Sequence, residues 1–265
     1  MKNKFLLLIL LQIIVLFSSV IYAQSEIPDM VTDRPDQTES ASIVPIDFLQ
    51  IELGFSYQKQ KYSEGLLNIE NDNLYLGSTL LRYGFNSNIE IRFGGEYFSR
   101  QNFVNDVKSS IQGMQNILFG AKIRLRNGEK IITNAAILLQ SIIPFGHTKF
   151  RPSHFLPEIR LCLGQKITDQ FSLNINVGTE EEQTSMKYFY LYTTSIGFEI
   201  NERLATFIEI YGKLRKGFLP SNNFDCGLTY LHAKNIQIDF SIGTTLMNNL
   251  SDWFGGLGLS VRLPK

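Results

Sequence analysis

Along most of the chain apolar and polar residues alternate one by one. Leu49, Ile51, Leu53, Phe55 and Tyr57 interleave with Gln50, Glu52, Gly54, Ser56 and Gln58, the period of two that separates the faces of an extended strand. The same unit recurs at Leu74 to Tyr83, Asn88 to Phe98, Asn116 to Leu125, Lys130 to Ile143 and Glu158 to Gly164. It continues at Phe171 to Gly178, Lys187 to Ile200, Arg203 to Lys213, Asn222 to His232, Asn235 to Leu246 and Ser251 to Leu263. Short turns are expected at Gly84 to Ser87, Asn127-Gly128, Thr168-Asp169 and Asn201-Glu202. Polar loops are expected at Ser99 to Ser110, from Pro144 through His154, at Glu180 to Met186 and at Leu214 to Ser221. Long and short connections therefore take turns. The pattern predicts an all-β, up-and-down antiparallel barrel of about twelve strands, with tight turns on one rim and longer loops on the other, rather than a sandwich.

The expected strands run to about ten residues, whereas soluble sheets favour five or six and a tilted transmembrane strand needs about nine to eleven. Periodicity alone does not say which face is inside. The polar face carries small residues and isolated charges of both signs: Glu52, Glu90, Arg92, Glu96, Lys122, Arg124, Glu158, Arg160, Glu199, Glu209, Asp239 and Arg262. In a membrane barrel these line the lumen, where they form either a selectivity path or a lattice of ion pairs. Aromatics near the expected strand ends (Phe55, Tyr57, Tyr97, Phe98, Phe155, Tyr188, Tyr190, Tyr192, Tyr211, Trp253, Phe254) read as interfacial girdles. Both features favour a transmembrane barrel with periplasmic turns and extracellular loops.

Ahead of the barrel pattern, Lys2 and Lys4 precede an apolar run from Phe5 to Phe17 and small residues up to Ala23. This predicts a signal peptide at 1–23, too short in its apolar part for a spanning helix. Residues 24–46, with three prolines and no period, are expected to be an irregular periplasmic segment, with the barrel over 47–265. Asp33, Arg34, Asp36 and Glu39 make that segment the one dense polar cluster between the expected signal and the β pattern. At the tight-turn rim it either trails in solvent or folds inward as a plug against Arg92, Lys122, Arg124 or Arg160.

Lys plus Arg equals Asp plus Glu at 25 each, which removes the basic surplus that nucleic-acid binding requires. Cys162 and Cys226 fall on distant strands and are expected to be unpaired, half-buried thiols. His147 and His154 share a loop with Ser153, but no surrounding motif supports a nucleophile and base, and no cysteine or carboxylate in that loop completes a metal site. No cofactor, metal or catalytic residue is expected. The alternatives are a structural barrel without transport and an outer-membrane lipid hydrolase.

Thr32-Asp33-Arg34-Pro35-Asp36, then Thr38-Glu39-Ser40, Val44-Pro45 and the strand Leu49-Gln50-Ile51-Glu52-Leu53-Gly54-Phe55 resemble the start of the outer-membrane barrel family labelled "putative MetA-pathway of phenol degradation". The resemblance implies an outer-membrane channel or transporter for small, hydrophobic or aromatic molecules, embedded in outer-membrane lipid and folded by barrel-assembly machinery. Such barrels usually end on an aromatic residue; this chain ends Val261-Arg262-Leu263-Pro264-Lys265.

Overall fold

The structure, a computed structural model, describes residues 30–64, 66–105, 107–128, 134–183, 187–246 and 250–263. Twelve strands follow one another there: β1 (Leu49–Glu64), β2 (Leu67–Gly84), β3 (Ile89–Val104), β4 (Val107–Arg126), β5 (Asn134–Ile142), β6 (Leu156–Lys166), β7 (Phe171–Glu181), β8 (Tyr188–Asn201), β9 (Leu204–Leu214), β10 (Ser221–Ala233), β11 (Ile236–Thr245) and β12 (Leu250–Leu263). Each strand pairs antiparallel with its chain neighbours, and β1 closes on β12. Closure leaves no row of unpaired N–H and C=O groups, the condition for a sheet to sit in lipid.

Register fixes the two faces. Gln50 stands beside Arg82 on β2 and Arg262 on β12, and all three are buried. Leu49 and Ile51, which flank Gln50 on β1, point away from the lumen. Around the ring Phe93, Phe119, Ile159, Val177, Ile208, Ile238 and Leu257 are exposed on the outside, whereas the largest fully buried side chains include Arg82, Arg92, Arg262, Lys122, Glu52, Glu90 and Glu209. A soluble core is turned inside out. From Leu49 to Tyr57 the outward apolar stripe runs over nine residues, the length of about 9–11 that crosses a bilayer as a tilted strand.

The expected polar loop at Ser99 to Ser110, and the stretch between Gln58 and Leu74 that the alternation left outside its strands, are strand instead. β1 and β2 stay paired as far as Glu64 and Leu67, and β3 and β4 as far as Val104 and Val107, so these four strands reach 16 to 20 residues. Their outer halves are mostly polar with scattered apolar residues, which weakens the period-two signal while the cross-strand hydrogen bonds continue. Ion pairs of Lys59 and Lys61 with Glu70 support this ribbon beyond the apolar band. Bulges at Gly54/Phe55, Leu76/Thr79 and Gly94/Glu96 shift the phase of neighbouring strands at a common height, with Gly77 at φ 62°, a conformation glycine takes without a Cβ clash.

The aromatic positions also divide. Phe55, Phe155, Tyr188, Tyr190 and Trp253 are exposed, but Phe98 is buried, and Tyr211 and Phe254 line a lumen cavity. Side-chain type marks both interface and lumen here, and only register separates them. The two free cysteines face opposite sides of the wall. Cys162 is fully buried against Ala41, Ala136 and Leu138, not half-buried, while Cys226 is half-buried on the outer face. The expected signal peptide and the expected strand start at Lys130 lie outside the described residues.

Ile208, at the middle of the outer stripe on β9, is 52% exposed. Ile208→Arg should cost about 2–4 kcal/mol of barrel stability, the penalty of a cation near the midplane, read from chemical unfolding in lipid vesicles. An unchanged midpoint would mean that this face does not meet lipid.

Candidate functional site

Residues 30–47 do not trail from the rim. They run across the lumen in irregular conformation before β1 begins, and the wall holds them through backbone as well as side chains. Val31 O accepts from Gln50 Nε2 at 2.9 Å, Asp33 N–H donates to Glu52 at 3.2 Å, and Val44 N–H donates to Glu90 at 2.8 Å. Farther round, Arg160 donates to Gln37 O at 3.0 Å, Gln37 N–H donates to Glu209 at 2.7 Å, and Asn176 bonds both N–H and C=O of Glu39. Thr38 Oγ1 meets Thr193 Oγ1 at 2.7 Å and also Glu209, while Gln237 donates to Thr32 Oγ1 at 2.8 Å. A segment with no ladder of its own thus meets its backbone hydrogen-bonding needs on the lumen wall.

The strongest contacts are ionic. Arg82, Arg92 and Lys122 occupy neighbouring inward positions on β2, β3 and β4, and all three converge on Asp33 Oδ2 at 3.2, 2.5 and 2.7 Å. Glu39 takes Arg92 at 2.9 Å and Lys122 at 3.1 Å. The wall supplies Glu52 and Glu90 to the same cluster, each 2.8 Å from Arg82. Burial by itself would raise the Asp33 pKa, but Arg82, Lys122 and Arg92 together hold the carboxyl well below the usual carboxylate range. Burial pushes Glu39 up, against Arg92 and Lys122.

Arg34 reaches the other way, 3.2 Å from Asp239 on β11. Room for it comes from two glycines. A Cβ on Gly54 would lie 2.1 Å from Arg34 Nη1, and one on Gly258 would lie 2.6 Å from Arg34 Nε. Among the described residues Asp36 forms no ion pair. Burial and then Glu209 push its pKa well above the usual range, with a Ser195 hydrogen bond opposing and Asp225 adding to the rise.

Of the charges singled out on the polar face, Glu52, Glu90, Arg92, Lys122, Arg160, Glu209 and Asp239 touch the segment directly. Glu158 holds Arg160 at 2.5 Å, and Arg262 donates to Gln50 at 2.9 Å. Glu96 sits on the long-strand side of the segment, taking Ser78 and Gln115 at 2.6 and 2.9 Å. Two others fall elsewhere. Arg124 caps the β2–β3 turn through Ser87 O at 3.0 Å, and Glu199 is exposed at the tight-turn rim. The position of each, one or two inward steps beyond the segment, puts it in water at the rim. Arg82, Asp225 and Asn176 were missed. Arg82 lies beyond the bulge at Gly77 that breaks the phase of its strand, and Asp225 sits in the plain alternation Asn223, Asp225, Gly227, Thr229.

Lumen space remains on both sides of the segment. Toward the long strands lie two cavities of about 340 Å³ each, both bordered by Arg34, Gln37, Ser78 and Glu96. Toward the tight turns lie one of about 310 Å³ beside the segment and one of about 580 Å³ at the rim. Asp36 borders a cavity on each side. In the β5–β6 connection, Ser153 Oγ is 3.1 Å from His154 Nδ1, and His154 Nε2 is 2.9 Å from Glu181. Gln183 bonds the carbonyls of Phe150 and Arg151 in the same connection. Both sets tie this loop to the β7–β8 end.

A family model described as "Putative MetA-pathway of phenol degradation" matches residues 32–263, taking in the segment as well as the barrel. No curated protein sequence matches the chain. Among solved structures, the COG4313 outer membrane channel from Pseudomonas putida F1 aligns with TM-score 0.60 at 10% identity, over 84% of this chain and 98% of that one. The translocator domain of the autotransporter NalP from Neisseria meningitidis aligns with TM-score 0.55 at 8% identity, over 80% and 88%. The KdgM porin, in complex with disordered oligogalacturonate, gives 0.50 at 12%, over 79% and 98%. The shared property is the outer-membrane barrel fold.

Asp33→Asn removes the shared partner of three buried cations and should cost about 3–5 kcal/mol, the usual cost of breaking a buried charge cluster. Because the Asp33 pKa is depressed, its contribution is fully present above the ordinary value of about 3.9 and is lost as pH falls through the lower, bound value. Chemical unfolding should therefore separate wild type from D33N at neutral pH, with the gap closing only in stronger acid.

Proposed function

The chain belongs to the family described as "Putative MetA-pathway of phenol degradation", and on that premise we propose that it is an outer-membrane channel for small molecules, closed by its own N-terminal segment. The observation that carries this reading is the bonding of residues 32–44 to strands on every side of the lumen, from Glu52 and Glu90 round to Asn176, Glu209 and Asp239. A strap bonded from wall to wall stops a channel from leaking at rest. Outer-membrane lipid surrounds the apolar stripe, and barrel-assembly machinery inserts it after export by the N-terminal signal.

The solute class follows from the family label together with the cavity wall. Tyr75, Tyr211 and Phe254 offer ring faces beside Gln58, Glu96 and Arg34, a lining suited to a small aromatic molecule that carries a polar group. Aromatic faces stack on such a ring, while amides and charges take its hydroxyl. The barrel is read as non-enzymatic: the adjacent Ser153 and His154 serve the loop they belong to.

Deleting residues 30–43 and recording single-channel currents in planar bilayers tests this. The deletion should convert rare, small openings into a persistent conductance, and liposomes carrying it should take up small phenols faster than those with the wild type. Equal currents from the two folded barrels, checked by heat-modifiable gel migration, would favour a structural barrel without transport.

A further inference from the structure

The segment is held unevenly. Toward β2, β3 and β4 its carboxylates Asp33 and Glu39 meet three cations. Toward β9 and β10 its Asp36 meets two more carboxyl groups. Glu209 and Asp225 are directly opposite each other in the β9–β10 register, both are buried, and like charges so placed repel. Glu209 is engaged by Gln37 N–H and the Thr38 hydroxyl, but neither carboxyl oxygen of Asp225 receives a donor. The other groups near this corner do not supply a cation. Ser195 on β8 offers a hydroxyl, Arg160 on β6 is spent on Glu158 and Gln37 O, and Arg34 is spent on Asp239. Lys166 and Glu199 border the same tight-turn cavity as Asp36, with Lys166 largely in solvent. Among the described residues no Lys or Arg forms an ion pair with Asp36, Glu209 or Asp225.

Two buried carboxyls and a half-buried third, gathered without a cation, are most stable with protons between them. A protonated Asp225 can donate to Glu209, and a protonated Asp36 loses its repulsion from both. We infer that protons shared by Asp36, Glu209 and Asp225 latch the N-terminal segment against β9 and β10, and that losing them as pH rises frees this corner and opens the lumen along that wall. The proposal rests on the channel reading above and adds where the channel opens and what controls it. Asp36 borders the cavities on both sides of the segment, so displacing this one corner joins them. The sign follows from linkage. The Asp36 pKa is raised when docked and ordinary when released into water, so the docked state is fully favoured below the ordinary carboxylate value and loses that advantage as pH rises through the raised one. Asp33 has the opposite shift and stays charged and paired throughout this window, so the segment pivots on its β2–β4 side.

The test uses the purified protein in planar bilayers, with open probability recorded from about pH 5 to about pH 8, a range that brackets raised carboxyl values. Wild type should open on the order of tenfold more often at the upper end, a gain of one decade for a one-unit titration step. D225N and E209Q keep a hydrogen-bond donor in the corner and should stay closed and flat across the range, as should D36N; heat-modifiable migration shows which of them fold. A flat wild-type profile, opening on acidification, or a wild-type profile retained by the folded variants would overturn the latch. The channel reading is checked separately with Thr38→Cys/Thr193→Cys, in a background lacking Cys162 and Cys226. With that disulfide formed, current at every pH should cease. Undiminished current through the oxidised barrel would sink the strap reading and the latch together, whereas a block combined with a flat wild-type profile sinks the latch alone.

Discussion

Arg82, Arg92 and Lys122 stand side by side on three adjacent strands, pointing into a lumen that lipid surrounds. Their mutual repulsion is the constraint that the rest of the interior answers. Glu52 and Glu90 on the wall answer part of it. The remainder falls to Asp33 and Glu39, which the wall lacks and the N-terminal segment supplies. Buried charges are tolerable only when paired and hydrogen-bonded, so the segment is drawn across the lumen by the same cations that would destabilise an empty barrel. Once Asp33 is fixed, chain length carries Arg34 to Asp239 and Gln37 to Glu209, and the crossing is complete.

The outside of the wall is set by a different requirement. Outward positions through the lipid band are mostly apolar or aromatic, because the hydrocarbon offers no partner to a polar atom. Above that band β1 to β4 continue as a paired ribbon with Lys59, Lys61 and Glu70 on its outer face. The wall is therefore taller on one side, and the bulges near Gly54, Gly77 and Gly95 fall where ribbon and barrel join. There the two cavities of the long-strand side meet the strap.

The likeness to the Pseudomonas putida channel, TM-score 0.60 at 10% identity, fits this division of labour. A barrel wall asks only for alternation and closure, which many sequences supply. The lumen asks for particular charges, and it is there that two barrels of one fold can differ in what they pass and in how they close.

Alternation alone sufficed to predict an all-β closed barrel of the right strand number, with tight turns where Asn201-Glu202 and Thr168-Asp169 stand, because a period of two and turn chemistry are local properties. It placed Glu52, Glu90, Arg92, Lys122, Glu209 and Asp239 on the polar face for the same reason. It took the β3–β4 ribbon for a loop and left the β1–β2 ribbon outside its strands, since a mostly polar strand has little period, and it grouped Phe98, Tyr211 and Phe254 with the outer aromatics. Aromatics near the strand ends and mixed charges on the polar face pointed to that face as the inside, but which cations share Asp33, and why Asp36 is left among carboxyls, were decided by the tertiary structure alone. Those facts depend on residues up to 205 positions apart in the chain, as Arg34 and Asp239 are, being carried round a closed ring to face one another, and no local pattern encodes that distance.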